Sequence, residues 1–226
     1  MSKSAILESI RRGLRRGPLP ADQRAMLEGR LAAHPRQLIP ARSRVSRAEQ
    51  IALFLRNLEK EFATFQRLPD DAAVPGAVAD YLAGHNLPTR FSIAPMLAHL
   101  PWSERPLLTP EARRADPSDL VALTHGFAGI AETGTLMLPS DPGRPTTLNL
   151  LPDTAMVLLH VSDIVGAYEE AWDRLRAAGP MPRNVMLVTG PSRSADIEQT
   201  LELGAHGPRR LHVLLVDDDA AAAAAQ

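Results

Sequence analysis

In the second half of the chain, short apolar runs recur at residues 120–123, 135–138, 156–159, 185–189 and 211–216, each bounded by turn-forming or polar residues. Runs of this length read as buried strands. Between two of them, Ile164, Val165, Tyr168, Ala171, Trp172 and Leu175 fall on one face of a helix over residues 162–178. Between the last two, residues 194–203 read as another helix, stopped by Gly204. Strand, helix, strand, helix, strand predicts right-handed crossovers and an α/β fold, a mainly parallel sheet flanked by helices. In such sheets ligands lie beyond the carboxyl ends of the strands.

Upstream, Ser46-Arg47-Ala48-Glu49 spells a capping box, so a helix is expected from there to about Phe65, burying Ile51, Leu55, Leu58 and Phe62. Residues 78–82 predict a second helix, ended by Gly84 in the left-handed conformation, and residues 90–93 a short strand. Prolines dominate residues 95–117, where no period emerges. At the start of the chain Ile6, Leu7, Ile10 and Leu14 recur at helical spacing beside Arg11, Arg12, Arg15 and Arg16. This is a short basic amphipathic helix, suited either to docking on protein or to an anionic membrane surface. Pro18, Pro20, Pro35 and Pro40 then break helices repeatedly and predict an arm. The expected organisation is a basic helix and arm over residues 1–45, an α/β domain over 46–217 and a frayed tail over 218–226.

Composition narrows the functional classes. A length of 226 residues suffices for one good core plus an extension, and with 4% aromatic residues that core must be built from aliphatic side chains. A formal charge of -1 supplies no global field for nucleic acid, and the basic segment lacks interleaved aromatics. Cysteine is absent, which removes disulfides, a thiol nucleophile and thiolate ligands for an iron–sulfur cluster. The start lacks the features of a secretory signal, and there is no apolar run of the ~18 residues a membrane span needs. A cytoplasmic protein is expected.

Four constellations could carry chemistry. Glu132, between Gly129-Ile130-Ala131 and Thr133-Gly134-Thr135, is expected at the mouth of the sheet. It would act there as a general base or nucleophile, or merely hold a loop by accepting backbone hydrogen bonds. Thr133 and Thr135 could donate to a ligand that the backbone of Gly134 lets approach closely. Asp141-Pro142-Gly143-Arg144 is either a turn with an exposed arginine or a clamp for carboxylate or phosphate. Gly190, Ser192, Arg193 and Ser194, at a strand end and an expected helix start, suit a small anion; in the bland alternative Ser194 is an N-cap and Arg193 lies in solvent. His206, beside Gly204 and Gly207-Pro208, is a candidate general acid or ligand-orienting group. No metal site is expected, because His125 and His160 show no ligand spacing to His206.

Six segments in order resemble one family. They are Ile130-Ala131-Glu132-Thr133-Gly134-Thr135-Leu136, Gly143-Arg144-Pro145, Leu150-Leu151-Pro152, Asp163-Ile164-Val165, the stretch Thr189 to Glu198, and Gly204-Ala205-His206-Gly207-Pro208. Together, over about residues 118 to 217, the chain resembles the LUD domain family, and within it the lactate utilization protein C group. The resemblance implies a sheet like those of the ribose-phosphate isomerase, glucosamine-phosphate deaminase and CoA-transferase superfamily. It implies a role in oxidising L-lactate to pyruvate beside iron–sulfur partner proteins, with the clusters on those partners and no cofactor on this chain. One departure is that Thr154-Ala155-Met156 stand where the family often has a histidine. Three readings remain open: a non-cluster subunit of such a complex, a self-sufficient isomerase- or CoA-transferase-like enzyme using Glu132 on a small anionic substrate, and a non-catalytic scaffold.

Overall fold

The computed structural model describes residues 2–195 and 201–218 and divides into two compact units, residues 1–38 and 39–226. The first unit holds α1 (Lys3–Gly13) and α2 (Ala21–Ala33), neither with a buried residue. Ser2 caps α1 by accepting a hydrogen bond from the Ala5 amide at 3.3 Å. The prolines are expected to break helices repeatedly through this arm, yet Ala21–Ala33 is helical. Pro20 stands just before α2, where a proline's missing donor is harmless, and Pro35 follows His34, whose φ of 43° ends the helix. The prolines punctuate this helix rather than prevent it.

The second unit begins its regular structure with α3 (Arg47–Lys60), opened by the predicted capping box, in which the Ser46 hydroxyl accepts from the Glu49 amide and Glu49 accepts from the Ser46 amide. The helix ends earlier than its apolar period suggests. Phe62 turns to φ 66°, its amide donates to Glu59 and that of Ala63 reaches back to Leu58, a left-handed C-terminal motif. Phe62 is thereby turned out, 64% exposed, while Phe54 fills the core in its place.

β1 (Thr64–Leu68) follows, then α4 (Val74–Gly84), β2 (Arg90–Ile93), β3 (Thr109–Ala112) and β4 (Val121–His125). α4 too ends by a left-handed residue, but that residue is Asn86 at φ 51° and not Gly84. The Leu87 amide closes the motif on Leu82. Next come β5 (Ala128–Ile130), β6 (Thr135–Pro139), β7 (Thr154–His160), β8 (Ile164–Val165), α5 (Tyr168–Ala177) and β9 (Val185–Val188). The chain closes with β10 (Arg193–Ala195), β11 (Leu201–Leu203) and β12 (Arg210–Val216).

Six strands form one wholly parallel sheet in the order β1-β12-β7-β4-β2-β3. The α/β class expected from the apolar runs is what the chain adopts. Not every run joins that sheet, however. β6 and β9 pair antiparallel in a second, four-stranded sheet of order β8-β5-β6-β9. Ile164 and Val165, placed by the sequence reading on a helix, are strand residues that extend this second sheet beside β5.

Side-chain alternation assigns the layers. Met156, Leu158, Leu214 and Val216 point into a core capped by α4, whereas Ala155, Val157, Leu159, Val213 and Leu215 face Phe54 and Leu58 of α3 and Leu136 and Leu138 of β6. Met137, between those two, faces Ala171 and Leu175 of α5. The small sheet is thus apolar on both faces. That explains why its strands are as continuously hydrophobic as those of the parallel sheet and cannot be told from them by pattern.

The helix expected over residues 194–203 is also corrected. Arg193–Ala195 and Leu201–Leu203 are antiparallel strands, and residues 196–200 between them lie outside the described residues. The backbone at Ser192 is already committed, its amide donating to Pro208 and its carbonyl accepting from Gly204. Of the expected tail, residues 219–226 lie outside the described residues. Asp218 is tied to Ser162 through both the amide, at 2.8 Å, and the hydroxyl.

Candidate functional site

The glutamate turn lies at the far tip of the β5–β6 hairpin, not at the mouth of the parallel sheet. Gly134, at φ 69°, packs so closely on α3 that a Cβ there would lie 2.6 Å from the Leu58 amide nitrogen. Its close approach serves a helix. Asn57 of α3 donates to the carbonyls of Ala131 and Glu132 at 2.8 and 3.1 Å, and Arg42 pairs with the Glu132 carboxylate at 3.0 Å. Thr133 and Thr135 are likewise turned inward. The Thr135 hydroxyl, fully buried, lies within 3.0 Å of the hydroxyls of Thr133, Tyr168 and Thr189, a closed network among side chains.

The Gly-Pro-Ser-Arg corner sits at the amino-terminal rim of the parallel sheet, since Ser192 bonds to Pro208 just before β12 and Arg209 donates to Asp153 just before β7. Gly190, at φ 71°, abuts the Glu61 carbonyl at the end of α3. The Ser192 hydroxyl accepts from the His206 amide at 3.2 Å, and Ser194 pairs with Glu202 in the β10–β11 ladder. The Arg193 guanidinium stacks 3.6 Å from the centroid of the Phe62 ring. His206 and this corner meet. The contact is the Ser192 hydroxyl accepting from the His206 amide, and Arg193–Ala195 is a strand, so among the described residues the expected helix start with free amide donors is not found. A cavity of about 20 Å³ beside Gly190 and Pro191 is walled by Leu138, Val157, Val188 and Leu211, room for about one water molecule.

The carboxyl ends of the parallel strands carry a different set. β4 and β7, adjacent in the sheet, end in His125 and His160, whose rings lie 5.7 Å apart. Asp163 stands one 3₁₀ turn beyond β7, with one oxygen 4.0 Å from His160 Nδ1 and the other paired with Arg174 of α5. His160 Nε2 meets Asp71, beyond the end of β1, at 3.0 Å. Arg144 folds back from the Asp141–Arg144 turn, in which the Arg144 amide donates to the Asp141 carbonyl at 2.9 Å. Its guanidinium and that of Arg174 each lie 5.5 Å from the Phe127 ring centroid.

Burial sets the charge states of this mouth. It pushes His125 down to about 4, helped by the neighbouring His160 and Arg144, so His125 is a neutral base at pH 7. Burial also pulls Arg144 below its ordinary value, though a guanidinium stays protonated, and its buried Nε has no hydrogen-bond partner. Asp163 is pushed up by burial against the opposing pull of Arg174. A half-buried cation with an unmet donor beside a neutral imidazole suits a small carboxylate. Of the residues singled out from sequence, Arg144 alone lines this mouth. His125, His160, Asp163, Asp71, Arg174 and Phe127 were missed as a group. Their signal was available in part: His125 and His160 each directly follow an apolar run, where a parallel strand delivers its next side chain to the carboxyl edge.

The LUD domain family model matches residues 103–216, half of the chain, and covers β3 through β12. A lactate utilization protein C of Deinococcus radiodurans is 32% identical over 204 residues, spanning 85% of this chain and 91% of that protein. The chain belongs to the LUD domain family. Another relative, an uncharacterized protein of Neisseria meningitidis serogroup B, is 46% identical over 93 residues, and there the match spans 40% of each protein. Among solved structures, a DUF162 family protein from Deinococcus radiodurans superposes with a TM-score of 0.56 at 26% identity, covering 76% of this chain and 99% of that one. Of the parallel strands, the matched region supplies β3, β4, β7 and β12, with His125 and His160 at the ends of two of them, but not β1 or β2.

Proposed function

We propose that this chain serves lactate utilization as the cluster-free subunit of an L-lactate-oxidising system, working beside iron–sulfur partner proteins and holding a small carboxylate at the mouth of its parallel sheet. The observation that carries the binding site is Arg144: a half-buried guanidinium whose Nε lacks a partner, next to neutral His125, at the edge where open α/β sheets take ligands. The physiological reading draws on the relatives named for lactate utilization. Freedom from cysteine accords with a subunit that leaves electron transfer to partners.

In this arrangement the guanidinium of Arg144 donates charge-assisted hydrogen bonds to the carboxylate of lactate or pyruvate, and Phe127 offers an apolar face to the methyl group. His125 stands ready to take or return a proton without first losing one. Titration of the purified chain with L-lactate and with pyruvate tests the site. Saturable binding that Arg144→Ala weakens at least about tenfold is expected, a charge-assisted pair being worth ~1.5–3 kcal/mol. In cells, deletion of the encoding gene should abolish growth on L-lactate and the wild-type chain should restore it. Binding indifferent to Arg144→Ala removes the site assignment, and unimpaired growth removes the lactate role.

A further inference from the structure

His125, on β4, and the pair His160 and Asp163, at and just beyond the end of β7, are adjacent in space, each offering one ligand atom, with all such atoms within 4.8 Å of one another. We propose that they form a binding site for a divalent first-row transition metal ion, of the kind that imidazole and carboxylate share, such as zinc or ferrous iron. The site shares His125, but not Arg144, with the carboxylate reading, and its test reads metal binding alone, so failure of one can be told from failure of the other.

Three features favour an ion over an incidental cluster. His125 Nδ1 is buried and has no hydrogen-bond partner, so a lone pair or a proton at that position is unsatisfied within the fold. His160 Nε2 is engaged by Asp71 at 3.0 Å, which leaves Nδ1 on the side of Asp163 Oδ2, 4.0 Å away. A carboxylate on one nitrogen of a metal-binding imidazole fixes its ring and raises its basicity. Asp163 is oriented in turn by Arg174, which engages Oδ1 and leaves Oδ2 open.

The carboxylates of Asp71, Asp163 and Asp218 act on this cluster, beside the guanidiniums of Arg144 and Arg174 and that of Arg47, which donates to the carbonyls of Val161 and Ile164. Ligand atoms around a tetrahedral ion, at bonds of about 2.0–2.1 Å, lie roughly 3.3 Å apart. From spacings of up to 4.8 Å, closure brings the ligand atoms together by up to roughly 1.5 Å. Three protein ligands leave a coordination position for water or a substrate oxygen on the side of the mouth.

Untagged full-length protein, stripped with chelator and titrated with Zn²⁺ by calorimetry and with Co²⁺ by visible absorption, should bind one ion per chain. His125→Ala and His160→Ala should each weaken Zn²⁺ by at least about tenfold, and Asp71→Asn, which removes only the orienting carboxylate, by about tenfold to a hundredfold. His206→Ala and His99→Ala, both on exposed histidines, should change nothing. If a variant fails to fold, wild-type NMR decides: Zn²⁺ must shift the ring resonances of His125 and His160 first. Absence of saturable binding, retention of it in the His125→Ala/His160→Ala double variant, or first shifts at other histidines overturns the proposal.

Discussion

Replacing Gly134 by alanine asks whether the glycine of the glutamate turn serves the fold or a ligand. Two costs add. An L-residue held in the left-handed region loses ~1–2 kcal/mol, and Gly134 sits there at φ 69°. The new methyl carbon would lie 2.6 Å from the Leu58 nitrogen and 2.7 Å from the Asn57 carbonyl carbon, both main-chain atoms of α3 that cannot rotate away. Forcing α3 outward costs a further ~1–3 kcal/mol. A total of ~3 kcal/mol, at ~2–4 °C per kcal/mol for a unit of this size, lowers the melting midpoint by ~6–12 °C. Urea and thermal unfolding followed by circular dichroism measure it. Gly84→Ala provides the opposite control, since Gly84 closes α4 with ordinary φ and open space around it. Stability should there rise by ~0.4–1 kcal/mol. An unchanged midpoint for Gly134→Ala would refute the packing argument. If carboxylate binding vanished while stability held, the turn would face a ligand after all.

The buried His212 is pushed down to about 4, chiefly by burial, and accepts or donates at Nδ1 against the Thr64 hydroxyl at 2.8 Å. The folded form excludes a proton that the unfolded chain takes up below pH ~6.5, so stability present above that pH is lost progressively as pH falls toward 4, by ~1.4 kcal/mol per unit of difference. Urea midpoints across that range should fall with acid, less steeply in His212→Gln; equal slopes would exclude His212 as the cause. Thr135→Val keeps the shape of a fully buried side chain but strips the shared oxygen from Tyr168, Thr133 and Thr189, and should cost ~1–3 kcal/mol in chemical denaturation. Glu132→Gln removes an ion pair whose arginine is largely solvent-exposed, so stability should change by less than ~1 kcal/mol and growth on L-lactate should persist. Loss of growth with a stable fold would return Glu132 to the role of base or nucleophile.

Local order in the chain was enough for the fold class. Continuous apolar runs such as Met156–Leu159 bury both faces of a strand whatever lies beyond, and the Ser46–Glu49 capping box acts within one helical turn, so both were legible without partners. Which runs pair was not. Leu136 and Val188 belong to a second, mixed sheet because that sheet is covered on both faces, by α3 and the parallel sheet inside and by α5 outside. Likewise Phe62 obeys the helical period and is nonetheless expelled, since the left-handed motif that turns the chain into β1 is set by hydrogen bonds to Leu58 and Glu59.

The site divides in the same way. Sequence alone marked Arg144, the glutamate turn and the Gly-Pro-Ser-Arg corner, because turn residues and charges announce themselves locally. Tertiary structure decided that Gly134 and Gly190 spend their conformational freedom on α3, and that the second motif lies at the amino-terminal rim. It also decided that His125, His160 and Asp163 share the opposite rim. Registry between parallel strands is a long-range property, in which His125 pairs with Leu158, within two residues of His160, because Val121 pairs with Thr154, and no spacing along the chain encodes that coincidence.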